Sequence, residues 1–548
     1  MEDREIKHLT TTTSLANHMM SYRDELKSLF VAQANDPTVE CLTVTTVNWD
    51  KRAGRAIGDS ETLRELQIHI LHRETDCIWL GELLQYLLRN RSITKLGIIF
   101  ISCGPVGYQY NLEKDVFRSL IPFIEHNNNL IDIEFDCGPI SMMRSLSFAL
   151  ASCKNKRLER IKLQDIQDEG DYRDIYYGEF FVSMNDYNNL RHICVVGCKI
   201  GTDGVTELSN LLKKPSSSIC SLYLEDNSLD DDHIAILGNG LVGNKHEISI
   251  DLRKNSSITA TGWARFSQAL LHPECSIKTV RLSGTNLDDE GVTYLGYALT
   301  TNKSIKSLAL TNNDTITLEG LRDLMQCMRN PSLEDLVLQN CGINDEGLAL
   351  IMEKVAESVS LKTLHLPLNR SITSRGLITI FHALFNCELS LEFINLHSNS
   401  GIDFDDIEEE DWFLLLRAFC DKSSISNTFY SNHTLQIIGL DGFDDDDECE
   451  DWLKNIWLDC DNLLDMNDNE NKVEVAREKI LESHFTGEAV DISVFALMPE
   501  TLLPHAIEWI ARDRLGFSLM YQFVAGYPLD FSDDNYSSRA AKKLKQSS

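Results

Sequence analysis

The chain has 548 residues, with 84 Asp or Glu against 51 Lys or Arg, so its formal net charge is −33. No basic stripe interrupts this acidic background, which argues against nucleic acid as a partner because phosphate binding needs clustered Lys and Arg. The first twenty residues have no signal-peptide core, and no segment approaches the roughly 18 apolar residues of a membrane span. We therefore expect a cytoplasmic protein, with the nucleus as an alternative, that does not bind membranes.

The first predicted element is a helix over residues 14–33, with apolar residues at helical spacing behind a capping Ser14. It belongs to a predicted N-terminal helical cap, residues 1–38, which would cover the first edge of the core that follows. A strand, turn and helix unit, clearest at residues 277–304, then recurs over residues 39–440. From Leu190 to Leu391 the units start 29, 28, 30, 28, 28, 28 and 30 residues apart. This period predicts a solenoid of about 14 stacked repeats.

The strand segments alternate apolar and polar residues. Ile250 and Leu252, for example, alternate with Asp251 and Arg253, which predicts one buried and one exposed face. Three residues beyond the second apolar position most units carry a small polar residue. At such a turn the backbone amides and carbonyls face the interior, and a stacked polar side chain can hydrogen-bond them. The predicted ladder consists of Cys198, Asn227, Asn255, Thr285, Asn313, Cys341, Asn369 and Asn399.

The pattern LxxLxLxx(N/C)xL, followed by Gly and a helix as in LDDEGVTYLGYAL at residues 287–299, resembles the ribonuclease-inhibitor-like class of leucine-rich repeats. The resemblance implies an α/β fold, a right-handed β/α solenoid or horseshoe with parallel strands on the concave face and helices outside. Helical caps would close both ends. The segment MPETLLPHAIEWIARDRLG at residues 498–516 also resembles uncharacterised leucine-rich-repeat families of diatoms and related algae, which implies no known activity.

Two early repeats contain insertions, at residues 101–115 and 164–181, where the chain leaves the strand. Both insertions are rich in tyrosine and crowd one rim beside a strip of outward strand residues of alternating charge. Aromatic anchors beside polar contacts are typical of protein-binding surfaces, so we predict a protein or peptide partner there. The predicted partner-binding residues are Tyr108, Tyr110, Asp132, Glu134, Asp136, Arg160, Lys162, Tyr172, Tyr176, Tyr177, Tyr223 and Glu225.

Two alternatives stay open for these residues. The acidic row of Asp132 and Glu134 could only neutralise the basic row of Arg160 and Lys162, since cross-strand pairs of this kind stabilise a sheet modestly. The tyrosines could pack down and hold the insertions in place instead of meeting a partner.

After Leu391 the regular period ends, and the next unit starts 44 residues later at Leu435. Between residues 401 and 471 there are 21 Asp or Glu against Arg417, Lys422 and Lys454. Because dense like charges repel one another, we predict an acidic solvated loop over residues 441–471. Helical spacing returns in residues 472–530, a predicted C-terminal helical cap, and residues 531–548 are predicted to be a disordered tail.

The chain lacks the phosphate-binding, nucleophile-elbow and zinc-protease motifs, and its 15 cysteines include no CxxC pair. We expect reduced thiols, and we expect no catalytic residue, metal or cofactor.

The predicted function is a non-enzymatic, monomeric scaffold or sensor that binds a protein or peptide on the concave face. One alternative is a GTPase-activating regulator of a small GTPase, because a branch of this repeat class resembles the chain in having an acidic C-terminal stretch. The other is an inhibitor of a basic enzyme, toward which the acidic excess would steer a cationic partner.

Overall fold

A computed structural model describes residues 23–45, 48–71, 78–101, 120–138, 140–154, 156–166, 173–441 and 451–484. The chain divides into two compact units, Met1–Thr285 (unit 1) and Asn286–Ser548 (unit 2). Three of the predicted binding residues, Tyr108, Tyr110 and Tyr172, lie outside the described residues, as do residues 485–548 of the predicted cap and tail.

Unit 1 alternates helices and strands. In chain order these are α1 (Arg23–Ala34), β1 (Cys41–Thr45), α2 (Lys51–Asp59), β2 (Glu65–Leu71), α3 (Ile78–Leu87), β3 (Lys95–Ile101), α4 (Leu120–His126), β4 (Asp132–Asp136), α5 (Ser141–Ser152), β5 (Arg160–Gln164), α6 (Arg173–Ser183), β6 (His192–Val196), α7 (Thr202–Lys213), β7 (Ser221–Tyr223), α8 (Asp231–Leu241), β8 (Ile248–Asp251), α9 (Ala260–Leu270) and β9 (Ile277–Arg281).

Unit 2 continues the alternation and adds two short 3-10 segments, Met325–Arg329 and Phe404–Asp406. Its elements are α10 (Asp289–Thr301), β10 (Ser307–Ala309), α11 (Leu318–Leu324), β11 (Asp335–Val337), α12 (Asp345–Val355), β12 (Thr363–His365), α13 (Ser374–Asn386), β13 (Phe393–Asn395), α14 (Glu409–Phe419), α15 (Ile425–Phe429), β14 (Ile437–Gly439), α16 (Asp451–Met466) and α17 (Lys472–His484).

Within each unit every described strand pairs in parallel with the next strand of the chain. In unit 1 the register aligns Ile133 with Ile161 and Ile193, and all three side chains are buried. In unit 2 it aligns Leu308 with Leu336, again in the core. Parallel strands cannot be joined by tight turns, so each crossover carries a helix whose apolar stripe packs on the buried side of the sheet. The predicted α/β solenoid architecture is confirmed.

The predicted ladder residues are all buried and connect neighbouring repeats. Asn255, for example, accepts the backbone N–H groups of Asn227 and Leu229, both at 3.0 Å, and donates to Leu224 O at 2.9 Å. In unit 2, Asn369 accepts from Cys341 N at 2.8 Å. The residue before each ladder position has a positive φ, so the backbone turns sharply there and points its amides inward.

A second set of buried asparagines lies at the opposite end of the strands, where a helix ends and the next strand begins. Asn90 donates to Ile57 O at 2.7 Å, and Asn330 donates to Leu299 O at 2.7 Å, each in the preceding repeat. The Asn90 side chain also accepts the backbone N–H of Ser92 at 2.9 Å. These asparagines satisfy the carbonyls that every helix leaves unpaired at its end. Asn244 fills the same role at Leu212 O. Asn127 and Asn467 instead donate to the carbonyls of Ile93 and Leu435, which lie just before the strand of the preceding repeat.

Helix starts are also tied between repeats. The Asp231 carboxylate accepts from Thr259 N at 2.7 Å and from Thr259 Oγ1 at 2.6 Å, which caps the next helix of the chain. A Cβ at Gly262 would clash with that carboxylate, so only glycine fits there. The same bidentate contact recurs in unit 2, between Asp289 and Thr317 and between Asp345 and Thr373.

Part of the predicted acidic loop is helical. Helix α16 covers Asp451–Met466 and buries Leu453, Ile456 and Cys460, which share one face at helical spacing. Asp459, Asp461 and Asp465 lie on the exposed side. Charge density alone therefore gave the wrong expectation, because an apolar stripe can hold a helix whose other face is acidic. Among the helices that the structure describes, none is both long enough and apolar enough to cross a bilayer.

Candidate functional site

The outer strand face, meaning the strand side chains that alternate with the buried ones, differs from repeat to repeat. In unit 1 the register sets Asp132 beside Arg160 and Glu134 beside Lys162. On the following strands, Cys194 of β6 lies beside Lys162, and Tyr223 of β7 lies beside Cys194. The predicted surface therefore brings together side chains from successive repeats that lie about 30 residues apart in sequence.

The charged residues of β4 and β5 form cross-strand ion pairs. Lys162 Nζ lies 2.8 Å from Glu134 Oε1, and Arg160 Nη1 lies 3.4 Å from Asp132 Oδ2. One strand earlier, Lys95 Nζ contacts Glu65. The Glu134 side chain is 17% exposed and that of Lys162 is 33% exposed, so these charges are partly removed from water while one edge stays accessible. The contacts are those of the mutual-neutralisation alternative, and they also fix the charged groups in position.

Burial and neighbouring charge act against each other in these pairs. Burial raises the pKa of Asp132 above its ordinary value, although Arg160 and Lys95 pull it down. Burial alone would lower the pKa of Lys162, but the hydrogen bond and charge of Glu134 raise it overall. Lys162 therefore stays positively charged at neutral pH, and the ion pair with Glu134 is kept.

A second charged cluster lies on β7, β8 and the turns after them. Two of its residues, Asp251 and Arg253, were not among the predicted binding residues. Asp251 is only 1% exposed, and both of its carboxylate oxygens accept from Arg253 Nε, at 2.9 and 2.8 Å. Arg253 Nη2 also lies 2.9 Å from Glu225, which in turn lies 2.7 Å from Lys254 Nζ. Tyr223 is half-buried beside Asp251 in the strand register. Every charge of this cluster has an opposite partner.

Asp136, Cys137 and Asp165 lie at the carboxyl ends of β4 and β5, with their potential ligand atoms within 4.8 Å of one another. Cys137 Sγ donates to Asp136 Oδ1 at 3.2 Å, and burial, together with Asp136, raises the pKa of Cys137 to about 12. The thiol is therefore protonated at neutral pH, whereas metals bind the thiolate. Two surface carboxylates and a thiol do not make a closed ligand set, and we assign no metal to them.

Two predicted tyrosines lie in a helix, not in a loop. Helix α6 begins at Arg173, so helical spacing places Tyr177 on the buried face with Phe180 and Phe181. Tyr177 is fully buried, and its Oη donates to Ile166 O at 3.3 Å, so it cannot contact a partner. Tyr176 is half-buried at the surface. Tyr177 therefore packs into the core, as the second alternative for the tyrosines proposed. The insertion predicted at residues 164–181 is shorter than expected, because helix α6 already begins at Arg173.

Comparison with known proteins gives matches to the repeats. Residues 275–296, 301–325 and 329–352 match the family model described as "Leucine Rich repeat". The mouse NACHT, LRR and PYD domains-containing protein 9C is 27% identical over 215 residues, 39% of this chain and 21% of that protein. The human NACHT, LRR and PYD domains-containing protein 14 is 26% identical over 217 residues, 39% of this chain and 19% of that protein. The chain thus spans about one fifth of the length of these relatives.

Among solved structures, the yeast Rad7 and Elc1 complex contains a chain that aligns with a TM-score of 0.38 and 15% identity. The alignment covers 66% of this chain and 85% of that one. A similarity this distant supports no argument about the site.

Proposed function

We propose that this leucine-rich-repeat protein is a non-enzymatic scaffold or sensor that binds a protein or peptide on the outer strand face of β4 to β8. The proposed surface in the described residues consists of Asp132, Glu134, Asp136, Arg160, Lys162, Tyr176, Tyr223, Glu225 and Arg253, and the buried Asp251 only holds Arg253 in place. Tyr108, Tyr110 and Tyr172 belong to the proposal from sequence alone, and Tyr177 is left out because it is buried. A cytoplasmic monomer is part of the same proposal.

The observation that carries the proposal is the fixed pattern of charges on this face. Inward positions hold interchangeable Leu, Ile and Val, whereas the outward positions hold a different side chain in each repeat, oriented by pairs such as Glu134–Lys162. Cross-strand pairs at partly exposed sites stabilise a fold by only about 0.2–1 kcal/mol each, so fold stability alone does not account for the pattern. Groups already held in place lose little conformational entropy when a partner pairs with them.

The first experiment places a photo-crosslinking amino acid at Tyr223 on the proposed surface. The control carries it at Tyr297, a 66%-exposed position on helix α10 of unit 2. Both proteins are irradiated in lysate of the source cells, and crosslinked proteins are identified by mass spectrometry. We expect a protein captured from position 223 and not from position 297. Capture from position 297 alone would place the partner elsewhere.

A charge-swapped protein, Glu134→Lys with Lys162→Glu, sharpens this test. It keeps one cross-strand ion pair, so the fold is preserved, but it reverses the charge pattern that a partner meets. We expect capture at position 223 to fall about tenfold, because reversed contacts turn attraction into repulsion. Undiminished capture by the swapped protein would show that the charge pattern is not recognised.

A further inference from the structure

The outer strand face of unit 2 carries a group of apolar and aromatic side chains on β11 to β14, beside Asp335, whose Oδ1 lies 3.7 Å from His365 Nε2. Phe393 and Ile437 are cross-strand neighbours on β13 and β14, and Val337 and His365 are neighbours on β11 and β12. The rings of His365 and Phe393 lie 5.1 Å apart between centroids, so the two pairs form one surface, which we call the apolar patch. Ile437 is 52% exposed, and the other three side chains are partly exposed.

A fixed carboxylate borders the patch beyond β14. A Cβ at Gly439 would come within 2.8 Å of His397 Nε2, so the His397 ring occupies the space that a side chain there would need. His397 Nδ1 lies 2.7 Å from Asp441 Oδ1, and Ser398 N donates to the other Asp441 oxygen. That backbone hydrogen bond, supported by His397, lowers the pKa of Asp441. Asp441 is therefore ionised and held in place at the edge of the patch.

A run of exposed carboxylates follows β13 at the carboxyl end of the strands. Two contacts connect the segment to the preceding repeat. Ser374 Oγ donates to Asp403 O at 2.6 Å, and Gly401 forms an isolated parallel β-bridge with Thr373. Within the described residues, none of these carboxylates forms an ion pair with Lys, Arg or His, in contrast to the charges on β4 and β5. We call them the acidic rim: Asp403, Asp405, Asp406, Glu408, Glu409 and Glu410.

The patch and the rim together define one kind of occupant. Exposed apolar clusters bordered by polar groups mark interaction sites, because covering them with a partner removes apolar surface from water. The carboxylates of the acidic rim form no ion pair within the described residues, so a partner that brings its own cations lowers their mutual repulsion. An acidic or neutral partner would bury the same apolar area without that gain.

We propose that unit 2 binds a basic protein segment, in which an aliphatic or aromatic side chain packs on the apolar patch and neighbouring Lys or Arg side chains reach the acidic rim and Asp441. This surface is additional to the one proposed in unit 1 and does not depend on it. The two surfaces prefer different chemistry, since one presents paired charges and the other presents apolar contact with uncompensated negative charge.

The test uses a display library of short random peptides, selected on the immobilised full-length chain. We expect the enriched peptides to combine an aromatic or large aliphatic residue with Lys or Arg. Representative peptides, synthesised with a fluorescent label, are then titrated with the protein by fluorescence polarisation. Enrichment of acidic peptides, of peptides without an apolar residue, or of none at all would overturn the proposal.

Two variants locate the binding. The patch variant, Phe393→Ser with Ile437→Ser, and the rim variant, Asp405→Asn with Asp406→Asn and Glu409→Gln, should each weaken binding of the selected peptides about tenfold or more. Circular dichroism checks the fold, and the rim variant remains informative if the patch variant is destabilised, because its three side chains are exposed.

Matched controls change the same residue types elsewhere. The apolar control is Phe148→Ser with Leu458→Ser, both on exposed helix positions. The charge control is Asp459→Asn with Asp461→Asn and Glu482→Gln, which removes the same net charge as the rim variant. Both should bind within about twofold of the wild type. Equal losses in rim variant and charge control would reduce the effect to net charge and overturn the proposal.

Two other outcomes assign the patch or the peptides differently. If the selected peptides bound the patch and rim variants normally but did not bind the Glu134 and Lys162 charge-swapped protein, their site would be the unit 1 surface, and the present inference would be overturned. Concentration-dependent dimerisation that disappears in the patch variant, measured by analytical ultracentrifugation, would make a second copy of the chain the occupant.

Discussion

The outer strand faces of the two units show how one repeat backbone presents different chemistry. On β4 and β5 of unit 1 the outward charges are paired across strands, as in Glu134 with Lys162. On β13 and β14 of unit 2 the corresponding positions hold Phe393 and Ile437. The inward positions of both units are buried apolar residues, so the core does not require this difference. Outward positions are free to diverge, and in the proposed function they carry the information about partners.

Substitutions in the shared skeleton, meaning the buried ladder residues at the strand ends, should reduce stability the most and by equal amounts in the two units. Asn255→Ala in unit 1 and Asn369→Ala in unit 2 each remove a buried amide that bonds backbone groups of two repeats. We expect a loss of about 3–5 kcal/mol in the free energy of unfolding, because several buried N–H and C=O groups become unpaired. Urea denaturation followed by circular dichroism measures it.

The control for the ladder is Asn210→Ala at an exposed position of helix α7, which should change stability by less than about 0.5 kcal/mol. If the two ladder variants differed widely, the skeleton would not be equivalent in the two units. The difference between their outer faces could then reflect local stability as well as recognition.

The skeleton was predictable from sequence because its signals are local and repeat. A period near 28 residues, alternation within strands and a small polar residue at each turn predicted the solenoid and its ladder. The second asparagine set was equally readable, as N-x-(S/T)-(I/L) at residues 90–93, 302–305 and 330–333. Its role needed the structure, because sequence cannot show which carbonyl of another repeat each amide reaches.

The surface was less predictable, because exposure depends on where an element begins. From sequence, Tyr177 was assigned to a loop. Helix α6 begins at Arg173, however, and its helical spacing points the Tyr177 side chain toward the core. The acidic composition of residues 441–471 hid the apolar stripe of α16 in the same way. The contact between His365 and Phe393 follows from the register of β12 and β13, but their accessibility does not.

Removing the buried carboxylate of unit 1 should have the next largest effect. Asp251→Asn keeps the shape of the side chain but weakens the paired contacts to Arg253, which stay partly balanced by Glu225. We expect a loss of about 2–3 kcal/mol, since the buried side chain at position 251 loses the charge that strengthens its hydrogen bonds with Arg253. The same urea experiment measures it, and Asp226→Asn, at an exposed neighbouring position, is the control. An unchanged midpoint would show that Asp251 is not structurally important.

The buried lysine of unit 2 should make that unit the more pH-sensitive one. Lys479 is fully buried, and its Nζ contacts Phe419 O at 3.0 Å, Asn432 O at 3.2 Å and Asn467 Oδ1 at 2.7 Å, none of them a carboxylate. Burial lowers its pKa to about 7, with Cys420 opposing and Lys472 adding to the shift.

The folded pKa of Lys479 lies below the unfolded value, so the unfolded state binds more protons between about pH 7 and pH 10. Stability should therefore rise with pH in that window, by up to about 1.4 kcal/mol per pH unit, and should not change through this group below pH 7. Thermal unfolding monitored by tryptophan fluorescence between pH 6 and 9 tests it. Lys479→Met should remove the slope, and a slope that persists in this variant would assign it to other groups.

The smallest effect should come from the paired charges on which the proposed unit 1 surface depends. In a double-mutant cycle of Glu134→Gln and Lys162→Met, we expect a coupling energy of about 0.5–1 kcal/mol that decreases as salt is added. A pair this weak can exchange its partner for a bound protein with little loss of fold stability. A coupling above about 3 kcal/mol would instead mark a structural ion pair. The charges of unit 1 would then serve the fold, and the partner would have to be sought on the apolar patch of unit 2.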